Sequence, residues 1–282
     1  MAAEGVHVAH LGNVAAVSLH RPKAGNAITR DVVLGLPRVL RALADDGRVK
    51  CVLLHGLGPA MDNKNFCAGA DLNMLADTVV KAGPDECPAA SRRAFVDKVE
   101  LMQKMCSALE ECRVPVVAAV HGAVYGAAID LVTAADIVVT DANAKWCVKE
   151  IDLAVTADLG TLQRLPRLVG PMRAKELAYT ARVFTGHEAV SYGLCLSAHE
   201  SPRATFDAAL KIAEAIASKP SVAMRGAKET LLHATAEATS VSDGLRFVRH
   251  LNAHALPSTE GAKLLEQAFR SRGIPPPAHA KL

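Results

Sequence analysis

Three of the carboxylates in one largely apolar stretch of the sequence, Val114–Leu165, are candidates for chemistry. Asp130 lies in GAAIDLVTAA, Glu150 follows WCVK, and Asp158 lies in LAVTADLG. A carboxylate in apolar surroundings is costly unless it is paired, hydrogen-bonded or protonated, and its pKa there moves toward neutrality. Each one alone is more often a helix cap or a rim residue, but three around one corner of the chain favour acid–base chemistry.

That corner joins a predicted strand to a predicted helix. The short β-branched run Val116–Val120 predicts a buried strand, and the apolar segment Ala127–Ala135 predicts a helix. Gly126 and its small neighbours allow a ligand to approach the backbone closely. Because the first N–H groups of a helix lack intrahelical partners and lie at the positive end of its dipole, the corner predicts a donor site for an oxyanion.

The elements around this corner alternate between strands and helices up to about residue 200. Such alternation predicts βαβ units and a mainly parallel sheet, whereas the helical pattern from about 202 to 270 predicts an appended helical subdomain. The pattern predicts a hairpin over Val6–Leu19 that turns at Gly12-Asn13, a helix over about 31–45, a strand at KCVLLHG, a polar loop at GPAMDNKNFCAGADL, a helix over about 91–112, two short helices separated by Arg182–Gly186, and a strand at LCLSAH.

Composition narrows the function classes. Half of the 282 residues are hydrophobic, 4% are aromatic and the formal net charge is +3, so we expect a globular chain without a nucleic-acid or anionic-membrane surface. The seven cysteines form no CxxC pair, which predicts free thiols in a reducing compartment. The eleven histidines show no ligand spacing, which predicts no metal site, and no apolar run is long enough to predict a membrane span.

The last residues of the sequence carry a further signal. The proline-rich segment PPPAHAKL leads to Ala280-Lys281-Leu282, which resembles the SKL-type address of peroxisomes with alanine in place of serine. The first residues, MAAEGVHVAH, lack the basic start and apolar centre of a signal peptide. We therefore expect an import receptor as a partner and a peroxisome or glycosome as the location, with the mitochondrion or the cytoplasm as alternatives.

Three segments, taken in order, resemble the successive signatures of the crotonase superfamily, the enoyl-CoA hydratases and isomerases. They are HRPKAGNAIT, FCAGADL and PVVAAVHGAVYGAAIDLVTAADI. The resemblance implies an α/β fold with a spiral of ββα units, and trimers that often pair into hexamers. It implies a core with the acyl-CoA site over residues 1–200, a helical trimerisation region over 201–276 and a flexible tail over 277–282.

The resemblance also implies the chemistry that this superfamily shares, in which two backbone N–H groups stabilise the enolate of an acyl-CoA thioester. By motif match these groups belong to Ala70, in CAGAD, and to Ala127, in YGAAID, where the superfamily usually has glycine. Coenzyme A is then part of the substrate, and no separate cofactor is implied. The residues implied in coenzyme A or substrate binding are Lys23, Asn26, Ala27, Ala68, Gly69, Asp71 and Leu72.

The carboxylates indicate one branch of the superfamily. Asp130 and the segment ADLGTLQRLP resemble dienoyl-CoA isomerases, which move a 3,5-diene into 2,4 conjugation, whereas typical hydratases have glutamate at both of positions 130 and 150. In the isomerases the residue that matches Glu150 takes a proton from C2, and the one that matches Asp158 delivers a proton at C6. The residue that matches Asp130 lies in the same pocket and orients or polarises it.

Two other functions stay open at this point. One is a 2-enoyl-CoA hydratase in which Asp130 replaces one catalytic glutamate. The other is a non-catalytic binding protein on the same scaffold, such as an RNA binder, although the near-neutral charge and the scarce aromatic residues count against it.

For four further residues the sequence allows both a structural and a functional role. Asp71 more often orders its loop than reacts, and Cys67, with no adjacent His or Lys, is more often a buried filler than an active thiol. Lys23 either meets coenzyme A phosphates or is simply solvated. Trp146, the single tryptophan, either lines an acyl pocket or packs in the core.

Overall fold

Two β-sheets form the framework of the computed structural model, which describes residues 4–71, 74, 88–153 and 155–235. Their apolar runs are short, β-branched and bounded by turns, as expected for buried strands. The strands are β1 (Val6–Leu11), β2 (Val14–Leu19), β3 (Cys51–His55), β4 (Val116–Val120), β5 (Ala123–Tyr125), β6 (Ile137–Asp141), β7 (Lys145–Cys147), β8 (Phe184–Thr185) and β9 (Ser197–His199).

The larger sheet is mainly parallel, as the alternating pattern predicts. Its strand order is β1-β2-β3-β4-β6-β9. Only the hairpin pair β1–β2 is antiparallel, and the four following pairs are parallel. The smaller sheet has the order β5-β7-β8, with β5 parallel and β8 antiparallel to β7. Strand β4 spans the predicted residues, and the loop that follows it leads into the smaller sheet.

Helices cover the sheets and connect their strands. Among the described residues, none is both long enough and apolar enough to cross a membrane. Two 3₁₀ turns, Pro22–Ala24 and Glu150–Leu153, lie in loops. The helices are α1 (Arg30–Asp45), α2 (Pro88–Glu110), α3 (Ala127–Val132), α4 (Thr161–Val169), α5 (Pro171–Thr180), α6 (Gly186–Ser191), α7 (Pro202–Ala217) and α8 (Ser221–Thr235).

Alternate residues of β3 pack in two different apolar clusters, because successive strand residues point to opposite faces of a sheet. Val52 and Leu54 belong to the cluster that includes residues of α1, α2 and α3. Cys51 and Leu53 belong to the cluster that α7 covers. The apolar face of α7 repeats every three to four residues and supplies Phe206, Ala209, Ala213 and Ala217.

Helix α7 therefore belongs to the first of two compact units, Met1–Ser218 and Lys219–Leu282. The sequence analysis places the start of the helical region at residue 201, before this helix. The difference arises because the apolar face of α7 packs on the sheet of the first unit. Helix α8 belongs to the second unit, and the predicted tail 277–282 lies outside the described residues.

Helix α3 is shorter than the sequence predicts. It ends at Val132 and not at Ala135. At its end the N–H of Ala134 donates to the carbonyl of Leu131 at 3.3 Å, a three-residue spacing that tightens the last turn. The predicted gap Arg182–Gly186 also contains strand β8, and α6 begins at its last residue.

The loop after β2 is fixed to the turn at residues 65–70 by one buried amide. Asn26 has a φ of 57° and accepts a hydrogen bond from the N–H of Arg21 at 2.8 Å. Its Nδ2 donates to the carbonyl oxygens of Gly56 at 2.7 Å, Asn65 at 2.8 Å and Phe66 at 3.2 Å. Both polar atoms of this side chain are therefore engaged with the backbone, and the two loops hold a fixed relative position.

The substitution Asn26→Ala should lower the free energy of unfolding by about 2–4 kcal/mol, because it leaves buried backbone groups without partners. The measurement is urea unfolding followed by circular dichroism. Asn13→Ala is the matched control, since Asn13 Nδ2 makes one exposed bond to the Arg48 carbonyl at 2.7 Å and its loss should cost less than about 1 kcal/mol. Equal losses in the two variants would contradict the prediction.

Candidate active site

Two backbone N–H groups at the predicted corner make no hydrogen bond to the part of the chain that the structure describes. Ala70 forms a parallel bridge with Ile28, in which the N–H of Ile28 donates to Gly69 O at 2.8 Å and the N–H of Asp71 donates to Ile28 O at 2.9 Å. In this parallel bonding pattern the N–H of Ala70 takes no part. Among the described residues, neither that group nor the N–H of Ala127, which begins α3, donates a hydrogen bond to the protein.

Two glycines allow these turns to lie against each other. Gly69 has a φ of +100°, and a Cβ there would lie 2.7 Å from the carbonyl oxygen of Tyr125 and 3.9 Å from the nitrogen of Ala127. Gly126 takes the unusual conformation before α3, with φ of 52° and ψ of −120°. Ala127 itself has no positive φ, so its methyl group is accommodated where the superfamily usually has glycine.

Asp130 is completely buried in α3. Its Oδ1 accepts a hydrogen bond of 2.6 Å from the N–H of Thr161, the first residue of α4. Its Oδ2 has no hydrogen-bond partner among the described residues. Burial raises the pKa of Asp130, and the hydrogen bonding from Thr161 opposes that rise. The N–H group at the start of α4 therefore stabilises this carboxylate away from water.

Glu150 faces Asp130 across the corner. A Cβ at Gly126 would lie 3.4 Å from Glu150 Oε1, which places the carboxyl group beside the start of α3. Burial, and then the neighbouring carboxylate of Asp130, raise the pKa of Glu150 to about 7. The charge of Asp130 therefore favours the protonated form of Glu150. At neutral pH this pair holds and releases a proton readily, as a general base requires.

Asp158 lies close enough to act on the same pair. Its charge adds to the rise in the pKa of both Glu150 and Asp130. Burial raises the pKa of Asp158 itself. The backbone carbonyl of this residue accepts a hydrogen bond of 2.6 Å from Gln103 Nε2 on α2. The fold thus brings together the three carboxylates that the sequence analysis singles out.

The residues implied in coenzyme A or substrate binding have different surroundings. Lys23 and Ala68 are exposed, whereas Asn26 is buried and engaged with the backbone. Asp71 Oδ2 pairs with Arg21 Nη1 at 3.0 Å, and the same Arg21 nitrogen donates to the Ala27 carbonyl at 2.9 Å, so this carboxylate orders the loop. Gly69 forms the turn beside the corner. Leu72 lies outside the described residues.

Two further sequence candidates pack as structural residues. Trp146 is fully buried and stacks on Phe184 with ring centroids 6.0 Å apart, which favours the core-packing interpretation. Burial raises the pKa of Cys67 to about 12, so this thiol is unreactive near neutral pH. No group of three or more His, Cys, Asp or Glu side chains in the described ranges is arranged to hold a metal ion.

Sequence reasoning missed the residues that support the carboxylates. Thr161 acts through its backbone N–H, and the signal that could have identified it is Gly160, which ends the preceding loop where α4 begins. Gln103 gives no such signal, because it contacts Asp158 from 55 residues away along the chain. The apolar side chains of Ile151, Leu153 and Val155, all exposed, lie between Glu150 and Asp158 in the sequence and went unnoticed.

The sequence model of the enoyl-CoA hydratase/isomerase family matches residues 10–262. The chain belongs to this family. It is 38% identical over 242 residues to the peroxisomal delta(3,5)-delta(2,4)-dienoyl-CoA isomerase of Arabidopsis thaliana, covering 86% of this chain and 84% of the relative. It is 32% identical over 277 residues to the mitochondrial delta(3,5)-delta(2,4)-dienoyl-CoA isomerase of Pongo abelii, covering 98% of this chain and 80% of the relative.

A solved enoyl-CoA hydratase from Bacillus anthracis has the same fold, with a TM-score of 0.80, 27% identity and coverage of 98% of this chain and all of that one. The likeness confirms the crotonase-type α/β fold that the three signatures predict. This chain is an enzyme of the enoyl-CoA hydratase/isomerase family, and its relatives confirm the resemblance to dienoyl-CoA isomerases.

The raised pKa of Glu150 predicts that the free energy of unfolding decreases as the pH rises. Since the folded pKa is about 7 and the ordinary value is 4.5, the folded state binds this proton more tightly, and stability falls as pH rises through that interval. Glu150→Gln removes the cost, so at pH 8 the variant should be more stable than the wild type by about 1–3 kcal/mol, with little difference near pH 4.5.

Urea unfolding at the two pH values provides the measurement. The control is Glu214→Gln, which changes an exposed glutamate of α7. The stability difference between this variant and the wild type should be the same at both pH values. A Glu150→Gln variant whose stability relative to the wild type does not change with pH would contradict the burial of a titrating carboxyl group.

Proposed function

We propose that the chain is a dienoyl-CoA isomerase of fatty-acid β-oxidation, which converts a 3,5-dienoyl-CoA into the conjugated 2,4-dienoyl-CoA. The observation that carries the proposal is the third carboxylate. Asp158 raises the pKa of Glu150 through its charge, and its own pKa is raised by burial. A proton moved along an acyl chain needs a base at one carbon and an acid at another, and both relatives described above carry this name.

In the first step, the thioester oxygen lies between the N–H groups of Ala70 and Ala127. Glu150 removes a proton from C2, and the electron pair of that C–H bond delocalises through the thioester onto its oxygen. Two aimed donors stabilise the resulting oxyanion, by about 3 kcal/mol each. A base with a pKa of about 7 is well matched to this task at neutral pH.

In the second step, Asp158 gives its proton to C6. The electrons return from the oxyanion, the double bonds move from positions 3 and 5 to positions 2 and 4, and Asp158 becomes ionised. Glu150 now holds the proton that came from C2, so transfer of one proton from Glu150 to Asp158 through solvent restores the starting state. Burial favours the protonated form of Asp158 that this step consumes.

Asp130 would act on the base and not on the substrate. Its carboxylate is the largest electrostatic influence on Glu150 after burial, and it raises the pKa of that residue. The Thr161 N–H binds Asp130 Oδ1 at 2.6 Å, and Asp130 Oδ2 has no hydrogen-bond partner among the described residues. In this role Asp130 keeps the base near its working pKa and orients it.

Other parts of the chain suit an acyl-CoA thioester. The exposed apolar side chains of Ile151, Leu153 and Val155, which lie between Glu150 and Asp158 in the sequence, offer a surface for the acyl chain. The exposed Lys23 offers a positive charge for the phosphates of coenzyme A. Coenzyme A belongs to the substrate, no further cofactor is needed, and a trimer or a dimer of trimers is the assembly we expect.

The test is the ultraviolet spectrum of purified protein mixed with a 3,5-dienoyl-CoA. A conjugated 2,4-dienoyl chromophore should appear, and Asp158→Asn should lower kcat by about 10²–10⁴-fold because it removes the acid at C6. The matched control is Asp152→Asn, which changes an exposed aspartate paired with Lys149 at 2.5 Å and should leave kcat within about twofold of the wild type. Full activity of Asp158→Asn would contradict the proposed role of Asp158.

A 2-enoyl-CoA hydratase is the second candidate, and one observation favours it. Asp130 Oδ2 and Glu150 Oε2 have no hydrogen-bond partner among the described residues, so two carboxyl oxygens are available to hold an attacking water. Loss of crotonyl-CoA absorbance, with no 2,4-dienoyl signal from the other substrate, would establish hydration in place of isomerisation. Salt-sensitive RNA binding without affinity for an acyl-CoA would instead support a non-catalytic function.

We also propose import into a peroxisome or glycosome through Ala280-Lys281-Leu282 and its receptor. The Arabidopsis thaliana relative is named as peroxisomal, whereas the Pongo abelii relative is named as mitochondrial. A fluorescent protein fused ahead of Met1 should colocalise with a peroxisomal marker, and deletion of Leu282 should make it diffuse, because receptors read such tripeptides at a free carboxyl end. Mitochondrial or unchanged fluorescence after the deletion would contradict this address.

A further inference from the structure

One face of helix α2 contacts the segment that begins with Asp158. Gln103 Nε2 donates to the Asp158 carbonyl at 2.6 Å. Arg164 Nη2 donates to Ser107 Oγ at 3.1 Å and to Glu110 Oε2 at 2.8 Å, and Arg164 Nε donates to the same carboxylate at 3.2 Å. The three α2 residues are spaced by four and three positions, so they lie on one face of the helix.

The segment 158–164, whose two ends contact α2, holds two parts of the site. It carries Asp158 itself, and it carries Thr161, whose N–H binds Asp130 Oδ1 at 2.6 Å. Between them Gly160 has a φ of +127°, and a Cβ there would overlap the guanidinium of Arg164. The arginine therefore packs directly against the turn that separates the two parts.

The guanidinium of Arg164 has hydrogen-bond partners on α2. Among the described residues, its side-chain hydrogen bonds go to Ser107 and Glu110 and not to Asp130, Glu150 or Asp158. Its side chain is 16% exposed, whereas the arginine of the α7 pair Arg203–Asp207 is 66% exposed. A shielded guanidinium with three hydrogen bonds has few alternative positions, unlike an exposed ion pair that solvent competes for.

We propose that Arg164, held by Ser107 and Glu110, is a positioning residue that sets Asp158 and the Thr161 N–H in place relative to the carboxylate pair. The role rests on the proposed isomerase function. Proton transfer depends steeply on geometry, and a misplacement of about 1 Å can cost about 10²-fold in rate. The same arginine influences the acid at C6 through Asp158 and the base at C2 through Asp130.

The test compares steady-state kinetics of Glu110 variants on a 3,5-dienoyl-CoA. Glu110→Ala removes the acceptor of Arg164 and should lower kcat about 10-fold or more, with KM within about twofold of the wild type. Glu110→Gln keeps an acceptor oxygen and should recover most of the lost kcat. The matched control is Asp207→Ala, which breaks the exposed pair with Arg203 and should leave both constants unchanged.

Arg164→Lys gives a second measurement that keeps the charge but loses the two-nitrogen contact with Glu110, and it should also lower kcat selectively. Unchanged kcat in Glu110→Ala and Arg164→Lys would overturn the positioning role. So would a rise in KM that accounts for the whole loss of kcat/KM, or a Glu110→Gln variant as slow as Glu110→Ala. A wild-type protein that forms no 2,4-dienoyl product would instead overturn the proposed function, and the role with it.

Discussion

The burial of the Asp130 carboxylate beside Glu150 is the constraint on which the rest of the site depends. Two acidic groups cannot both ionise at low cost when they are close together and away from water. The protein supplies one strong donor, the Thr161 N–H, to one oxygen of Asp130. The pair consequently holds a proton near neutral pH, and the elements that carry its members must all meet at one corner.

The backbone donors depend on a different kind of interaction. The turn that carries the N–H of Ala70 is fixed by the bridge to Ile28 and by the buried amide of Asn26. Just before Ala127, the N–H of Gly126 donates to the Cys147 carbonyl at 3.0 Å. These contacts exist within the protein before any ligand arrives. A donor that needs no reorganisation stabilises a developing charge more effectively than one that must move, so fixed loops suit the proposed reaction.

Local sequence patterns predicted much of this arrangement. The strand Val116–Val120 and the grouping of the three carboxylates follow from apolar runs and from charges that interrupt them, which are local features. The role of Asn26 and the anchors of Asp158 did not follow. Their partners are up to 55 residues away along the chain, and no short-range period encodes such contacts. The end of α3 at Val132 depended likewise on the tightened last turn.

In the proposed reaction the oxyanion donors are main-chain groups, and this has a consequence for how such an enzyme diversifies. A backbone N–H survives every side-chain substitution except proline, so the replacement of glycine by Ala127 leaves the donor intact. Selection is then free to exchange the carboxylates around an unchanged donor pair. New reactions on the same thioester can arise by small mutational steps, without passing through a form that has lost its means of stabilising the intermediate.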